Sequence, residues 1–135
     1  MTNIIGTSGN DTFSFTSQVD GGVYGLGGND SITMGPGPFT FHAEGGAGND
    51  TIMGGADDDL YGGAGNDQIY AMSPSQNPND AVDNGFIDAG DGNDLIADAG
   101  GYDILIGGSG NDTILGGGGR RQPLRRLRHR LPLWR

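Results

Sequence analysis

The chain has 135 residues, 29 of them glycine, and no cysteine. This length suits at most one domain, and the lack of cysteine excludes disulfides and thiolate metal sites. All 17 acidic residues precede position 120, whereas the seven basic residues, all arginine, lie in 120–135, so charges of −17 and +7 sum to −10. No apolar run is long enough to span a membrane, and the first residues lack the basic and apolar regions of a secretory signal.

Nine-residue units begin close to the N-terminus. A weak first block, residues 1–33, contains GTSGNDTFS at 6–14 and GLGGNDSIT at 25–33. Residues 34–44 break the period and carry two prolines, which are disfavoured inside a central strand. This segment is therefore predicted to be an irregular loop or a bulged coil.

Two stronger blocks follow. Residues 45–70 hold GGAGNDTIM and GGAGNDQIY around the shorter unit GGADDDLY. A second proline-containing insertion at 71–80 separates them from the block 81–119, which carries AGDGNDLIA, DAGGYDILI and GGSGNDTIL. The consensus is G-G-x-G-N-D-x-U-x, in which U is apolar. The U residues are Phe13, Ile32, Ile52, Ile69, Ile96, Leu105 and Ile114.

Each half of the unit has a structural role. The glycines permit positive φ, so the first half is predicted to form a tight turn. The x-U-x half alternates as a very short strand would, with U facing inward. Three-residue strands are not stable alone, so the units must stack into parallel coils around a thin apolar core.

Stacking places aspartates in columns along the coil edges, about 4.8 Å apart from one coil to the next. In residues 1–119, Leu, Ile, Val and Phe make up just under one fifth of the chain, a composition typical of disorder when net charge is high. A hard divalent cation between adjacent turns would relieve the repulsion. Ca²⁺ accepts six to eight oxygens in flexible geometry, whereas Mg²⁺ demands a tight octahedron. The sequence therefore predicts calcium sites.

These units resemble the nonapeptide repeats of RTX (hemolysin-type) calcium-binding proteins. The resemblance implies an all-β fold, a parallel β-roll or right-handed β-solenoid, with Ca²⁺ held between turns. It also implies an extracellular protein exported through a one-step (type I) secretion machinery, with no N-terminal signal peptide. Calcium ions are the partner it implies, and neither nucleic acid nor a membrane span is predicted.

Carried over position by position, the resemblance implies a set of metal ligands. Asp94 and Asp112, 18 residues apart in unbroken register, form the best pair, and Asp103 faces the opposite side, where Gly85 holds the preceding place. The implied carboxylates are Asp11, Asp30, Asp50, Asp59, Asp67, Asp94, Asp103 and Asp112. Backbone carbonyls near Gly46, Gly48, Gly63, Gly65, Gly90, Gly92, Gly108 and Gly110 would complete the sites.

The basic tail, residues 120–135, differs in composition from everything before it. One interpretation is a cationic segment for anionic lipid or nucleic acid. A second is a frameshift or truncation artefact, because GGC-GGC-AAC for Gly-Gly-Asn, read one base early after a C, encodes the Arg-Arg-Gln found at 120–122. A third is an unusual but purely structural end of the repeat.

Catalysis has little support in the sequence. Neither H-E-x-x-H nor G-x-S-x-G occurs, and the two histidines, His42 and His129, lie in the irregular segment and the tail. The prediction is a non-enzymatic calcium-binding module of a secreted bacterial protein. Two alternatives remain open: a repeat fragment of a larger secreted protease, lipase or cytolysin, and a structural or adhesive surface protein.

Overall fold

A computed structural model describes residues 2–16, 21–35, 40–55, 57–72, 85–98 and 103–116. The described residues contain twelve short strands and no helix. The predicted tail at 120–135 and residues 73–80 of the second insertion lie outside these ranges. No helix among the described residues is long and apolar enough to cross a membrane.

The strands form two parallel sheets, each with six members. Sheet A has the order β1-β3-β5-β7-β9-β11 and sheet B the order β12-β10-β8-β6-β4-β2. Sheet A consists of β1 (Ile4–Ile5), β3 (Val23–Gly27), β5 (His42–Ala47), β7 (Asp59–Ala64), β9 (Phe86–Asp91) and β11 (Ile104–Ile106). Sheet B consists of β2 (Thr12–Ser14), β4 (Ser31–Thr33), β6 (Thr51–Gly55), β8 (Gln68–Met72), β10 (Leu95–Asp98) and β12 (Thr113–Leu115).

The chain alternates between the two sheets, so each coil contributes one strand to each of them. Every paired strand is parallel, and the coils form a solenoid of about five turns, as a β-roll requires. The predicted all-β parallel roll is confirmed.

The core is one residue thick on each side. Val23, Ala43 and Leu60 of sheet A face Ile32 and Ile52 of sheet B, and all five side chains are fully buried. Ile69, Ile87 and Ile96 continue the same rows. The predicted U residues all contribute, with Phe13 and Ile114 only partly buried against the cluster at its two ends.

The four inner strands of sheet A, β3, β5, β7 and β9, are longer than the predicted three residues. β5 begins at His42, within the segment 34–44 that was predicted to be irregular, and runs on to Ala47. Gly46 and Ala47 pair with Gly63 and Ala64 of the next coil. The turn is therefore confined to the G-N-D part of the unit, because positive φ at Gly46 and Gly48 redirects the chain without ending the pairing at Gly46.

The coils differ in length without loss of register. Equivalent aspartates on successive coils are 19, 20, 17, 27 and 18 residues apart. The longest coil contains the second insertion, yet Ile69 of β8 pairs directly with Ile96 of β10. The pairing of β8 with β10 is therefore kept although the equivalent aspartates are 27 residues apart.

Candidate metal centre

Six aspartates form a column along one edge of the roll, and we call this set the aspartate column. Each immediately precedes a strand of sheet B, where the chain leaves its glycine-rich turn. The members are Asp11, Asp30, Asp50, Asp67, Asp94 and Asp112. All six are among the predicted ligands, and the structure brings them onto neighbouring coils, including Asp67 and Asp94, which are 27 residues apart.

Hydrogen bonds link the column from end to end. In each step the backbone N–H of one aspartate donates to Oδ1 of the aspartate on the following coil. The N···O distance is 2.7 Å from Asp30 to Asp50 and 2.8 Å from Asp50 to Asp67. It is 3.0 Å between Asp94 and Asp112. One oxygen of each acceptor carboxylate is therefore used in a hydrogen bond that joins two neighbouring coils.

The preceding asparagines form a second ladder in the opposite direction. The backbone N–H of Asn49 donates to Oδ1 of Asn29 on the preceding coil at 2.8 Å, and Asn66 donates to Asn49 in the same way. This asparagine column consists of Asn10, Asn29, Asn49, Asn66, Asn93 and Asn111. Neighbouring coils are thus tied by reciprocal side-chain bonds, one in each direction.

The second carboxylate oxygens of the inner aspartates lack a protein partner. The Oδ2 atoms of Asp30, Asp50, Asp67 and Asp94 are buried and accept no hydrogen bond. A buried polar atom without a partner is costly and rare in folded proteins. Four such atoms at one repeated position indicate that an outside group supplies the missing interaction.

Burial also affects the charge of this column. Loss of solvation raises the pKa of Asp67 from 3.8 to about 6, and the neighbouring carboxylates of Asp50 and Asp94 add to the effect. Burial likewise raises the pKa of Asp50 and of Asp94, opposed by the backbone hydrogen bonds at Asp30 and Asp67 respectively. Without a cation, the ionised column is unfavourable.

Glycine leaves room for a cation beside three of these oxygens, those of Asp30, Asp50 and Asp67. A methyl group added to Gly25 would collide both with Oδ2 of Asp30 and with the carbonyl oxygen of Gly45. At Gly62 the colliding atoms would be Oδ2 of Asp67 and the carbonyl oxygen of Ala89. Carboxylate and carbonyl oxygens from adjacent coils thus converge on one small space, and this all-oxygen donor set suits Ca²⁺.

The carbonyls of the eight glycines predicted from the sequence lie in another part of the turn from the buried Oδ2 atoms. All eight of those glycines have positive φ. The carbonyl oxygen of Gly46 lies against the α-carbon of Gly63, and that of Gly48 lies against Gly65, beside the asparagine column. The carbonyls next to the buried carboxylates instead belong to the first residue of the unit, such as Gly45 and Ala89. Sequence reasoning missed these two, although they hold the same place in the repeat.

Asp11, at the first turn, has a different environment. Its Oδ2 accepts the backbone N–H of Thr7 at 2.6 Å and the Thr7 hydroxyl at 3.0 Å. Thr7 holds the place that Gly46 and Gly63 hold in later units. The Oδ2 atom of Asp11, unlike that of the inner aspartates, therefore accepts hydrogen bonds from its own turn.

The opposite edge differs from the prediction at Asp59. Asp59 is the first residue of β7 and pairs with His42 and Phe86, so it lies in the sheet and not in the turn. Asp58 occupies the turn position, where its Oδ1 accepts the N–H of Phe41 at 2.9 Å and its Oδ2 that of Gly55. The unit is one residue short, which brings Asp58 within reach of Gly55 and moves Asp59 into the strand.

Asp103 lies on this second edge, as predicted. Its Oδ1 accepts the N–H of Gly85 at 2.7 Å, so the glycine indeed stands at the aspartate position of the preceding coil. Among the described residues, no group of three His, Cys, Asp or Glu side chains is compact enough to hold a metal ion alone.

Comparison with known proteins agrees with this geometry. The family model for the RTX calcium-binding nonapeptide repeat, in four copies, matches residues 44–73 and 88–122. These ranges contain the turns of Asp50, Asp67, Asp94 and Asp112. No curated protein and no solved structure matches the chain significantly.

Proposed function

Because the chain belongs to the family of RTX calcium-binding nonapeptide repeats, we propose that Ca²⁺ binds along the aspartate column and drives the roll to fold. The observation that carries this proposal is the row of four buried, unpartnered Oδ2 atoms in register. Each would bind an ion together with a carbonyl oxygen of the adjacent coil. The bound ion supplies positive charge and coordination, and the chain supplies the oxygens and their spacing.

Binding and folding are coupled because the sites require two coils. A single unfolded unit has one carboxylate and no neighbouring carbonyl at a fixed distance. The binding energy of the ion therefore becomes folding energy. With 17 acids and no permanent cation in residues 1–119, the calcium-free chain experiences strong self-repulsion.

The same coupling supports an extracellular role. At low calcium the chain would remain unfolded and able to pass through a one-step (type I) exporter. At the higher calcium concentration outside the cell, the ions would bind and the roll would form. We propose this as a module of a secreted bacterial protein, and a calcium-binding structural role instead of catalysis is the role the repeat family supports.

The test is far-UV circular dichroism of the full chain, treated with chelator and then titrated with Ca²⁺, with Mg²⁺ as the control ion. We expect a coil spectrum to change to a β spectrum with Ca²⁺, while equal Mg²⁺ leaves it unchanged. Calorimetry in parallel would give the number of ions bound. A spectrum that does not respond to millimolar Ca²⁺, or responds equally to both ions, contradicts the proposal.

A further inference from the structure

The outer face of sheet A carries aromatic and acidic side chains in an alternating arrangement. β5 presents His42 and Glu44, and on β7 the order is reversed, with Asp59 first and Tyr61 second. On β9 the order reverses again, with Phe86 before Asp88. Strand pairing places Glu44 beside Tyr61 and Asp59 beside Phe86. We call these six residues, together with Tyr24 of β3, the checkerboard face.

The rings of this face contact one another across four strands. The centroids of Tyr24 and His42 are 5.3 Å apart, and those of His42 and Tyr61 are 5.0 Å apart. Tyr61 and Phe86 follow at 5.5 Å, and every pair is tilted by about 40°. The rings therefore form one continuous, partly exposed zigzag with carboxylates in the spaces between them.

The carboxylates of this face lack a permanent counter-charge in the described part of the chain. Residues 1–119 contain no lysine or arginine, and the nearest basic group is His42, whose Nε2 is 3.9 Å from Oε2 of Glu44. Burial raises the pKa of Tyr61, and the charges of Asp59, Asp88 and Glu44 raise it further, so all three acids act on the same ring. The face is both apolar and strongly negative.

Guanidinium is the group that best fits this combination. It is planar, always charged and weakly hydrated, so it can stack on a ring and at the same time form two hydrogen bonds to a carboxylate. On the checkerboard face each acid stands next to a ring. A primary ammonium would meet the charge requirement without using the flat ring surface.

We propose that the checkerboard face binds the arginines of residues 120–135 of this same chain. The charges are complementary, because this segment holds all seven arginines and no acid. The distance is also sufficient. Sixteen residues can reach roughly 50 Å at about 3.3 Å per residue. The segment follows β12 of sheet B, so it must cross about 10 Å to sheet A and then four strand steps, roughly 19 Å at about 4.8 Å each.

The experiment uses a spin label on the full chain in saturating Ca²⁺. The chain has no cysteine, so Gln122→Cys gives a single attachment site among the arginines. We expect the nitroxide to broaden the amide signals of Glu44 and Tyr61 in sheet A clearly more than those of Ile52 and Ile69 in sheet B, which lies about 10 Å farther away. Equal broadening of both sheets, or none, would overturn the proposal.

Two double variants with the same charge change provide the control. Asp59→Asn with Asp88→Asn removes two acids of the checkerboard face, and we expect the broadening of Tyr61 to be lost. Asp57→Asn with Asp98→Asn removes two acids elsewhere and should leave it intact. Unshifted amide signals of β6 and β8 would show that each variant is folded, and loss of broadening in both variants would reduce the effect to net charge.

The result is independent of the proposed calcium function. Circular dichroism reports whether Ca²⁺ folds the chain, and the spin label reports where residues 120–135 lie once it is folded. Arginine-rich segments also bind nucleic acid and anionic lipid. Broadening of neither sheet, together with binding of added anionic vesicles or DNA, would assign the segment to such a partner instead.

Discussion

At the scale of single residues, the aspartates of the column divide their two oxygens between two tasks. In Asp50, Asp67 and Asp94, Oδ1 accepts a backbone N–H from the preceding coil and holds the carboxylate in place. The Oδ2 atom of each side chain is buried, and in Asp50 and Asp67 it lies beside Gly45 and Gly62 respectively. The fold thus fixes the position of Oδ2 without supplying a hydrogen-bond donor to it.

Asp94→Asn separates these two tasks. Asparagine keeps an oxygen that can accept the N–H of Asp67, but it places an amide NH₂ where Oδ2 stood, and this group repels a cation. We expect the calcium concentration at half-folding to rise at least about tenfold, a loss of ~1.4 kcal/mol. Calcium titrations followed by circular dichroism measure the change.

Asp59→Asn is the matched control, with the same charge change on a residue that the structure places in β7. It should shift the midpoint far less, about twofold or less, because the side chain is only partly buried and lies outside the aspartate column. Equal shifts for the two variants would show that the column acts only through its total charge.

At the scale of elements, no strand of this roll could exist alone. β4 and β12 have three residues each, and their single inward side chains, Ile32 and Ile114, pack in a core cluster that several coils share. Stability in such repeat proteins is approximately a sum of contacts between nearest neighbours. A cavity in one inner coil therefore weakens its contacts with both neighbours.

Ile69→Ala tests this dependence in β8. The side chain is fully buried, so truncation should lower the free energy of unfolding of the calcium-bound chain by about 2–5 kcal/mol. Ile69→Val should cost only about 0.5–1.5 kcal/mol. Urea unfolding in excess Ca²⁺ measures both.

Ile104 of β11 offers an exposed comparison, since 48% of its surface is accessible. Ile104→Ala should change the unfolding free energy by no more than about 0.5 kcal/mol. A similar loss for the Ile69 and Ile104 variants would contradict the inward row described above.

The repeat pattern predicted which residues of the strands face inward, but it did not predict the places where a unit is shorter or longer than nine residues. The inward isoleucines followed from the x-U-x alternation, because every coil reuses the same position. Asp58 was missed in favour of Asp59, since a sequence read in nines cannot show where an eight-residue unit loses its residue. The adjacency of Asp67 and Asp94 was also missed, because the length of an insertion does not reveal which strands pair across it.

The checkerboard face could not be predicted for a related reason. Tyr61 and Phe86 are 25 residues apart, and their contact depends on the register of β7 and β9. A column of repeated residues follows from the period alone. A pattern that alternates from coil to coil follows only from the pairing.

At the scale of the whole molecule, the negative charge of the chain opposes folding, and bound calcium would offset this charge. The chain has a net charge of −10 at pH 7, and the buried column carries some of its least solvated acids. Protonation and calcium binding both neutralise these carboxylates. Mild acid should therefore partly replace the metal.

The pH dependence of the chelated chain tests this relation. The pKa of Asp67 is about 6 in the folded state, above its ordinary 3.8. Between these values the folded chain holds more protons than the unfolded chain, so stability falls as pH rises through this window. We expect the β signal without calcium to increase as the pH is lowered from 7.5 to 5.

Asp67→Asn removes the carboxyl group whose pKa is raised to about 6 and should flatten this response. In saturating Ca²⁺ the wild-type chain should show the reverse trend, because protons then compete with the metal. A chelated chain whose spectrum is the same at both pH values would contradict the raised pKa.

The reciprocal ladders have a consequence for how coils recognise one another. The backbone N–H of Asn49 donates to Asn29 on the preceding coil, and that of Asp50 donates to Asp67 on the following coil. Two adjacent residues therefore connect their coil to both of its neighbours. A slip of one residue would put an asparagine opposite an aspartate and would break both bonds at once. The Asn-Asp pair thus fixes the register between neighbouring coils, so coils of unequal length stack with equivalent residues side by side.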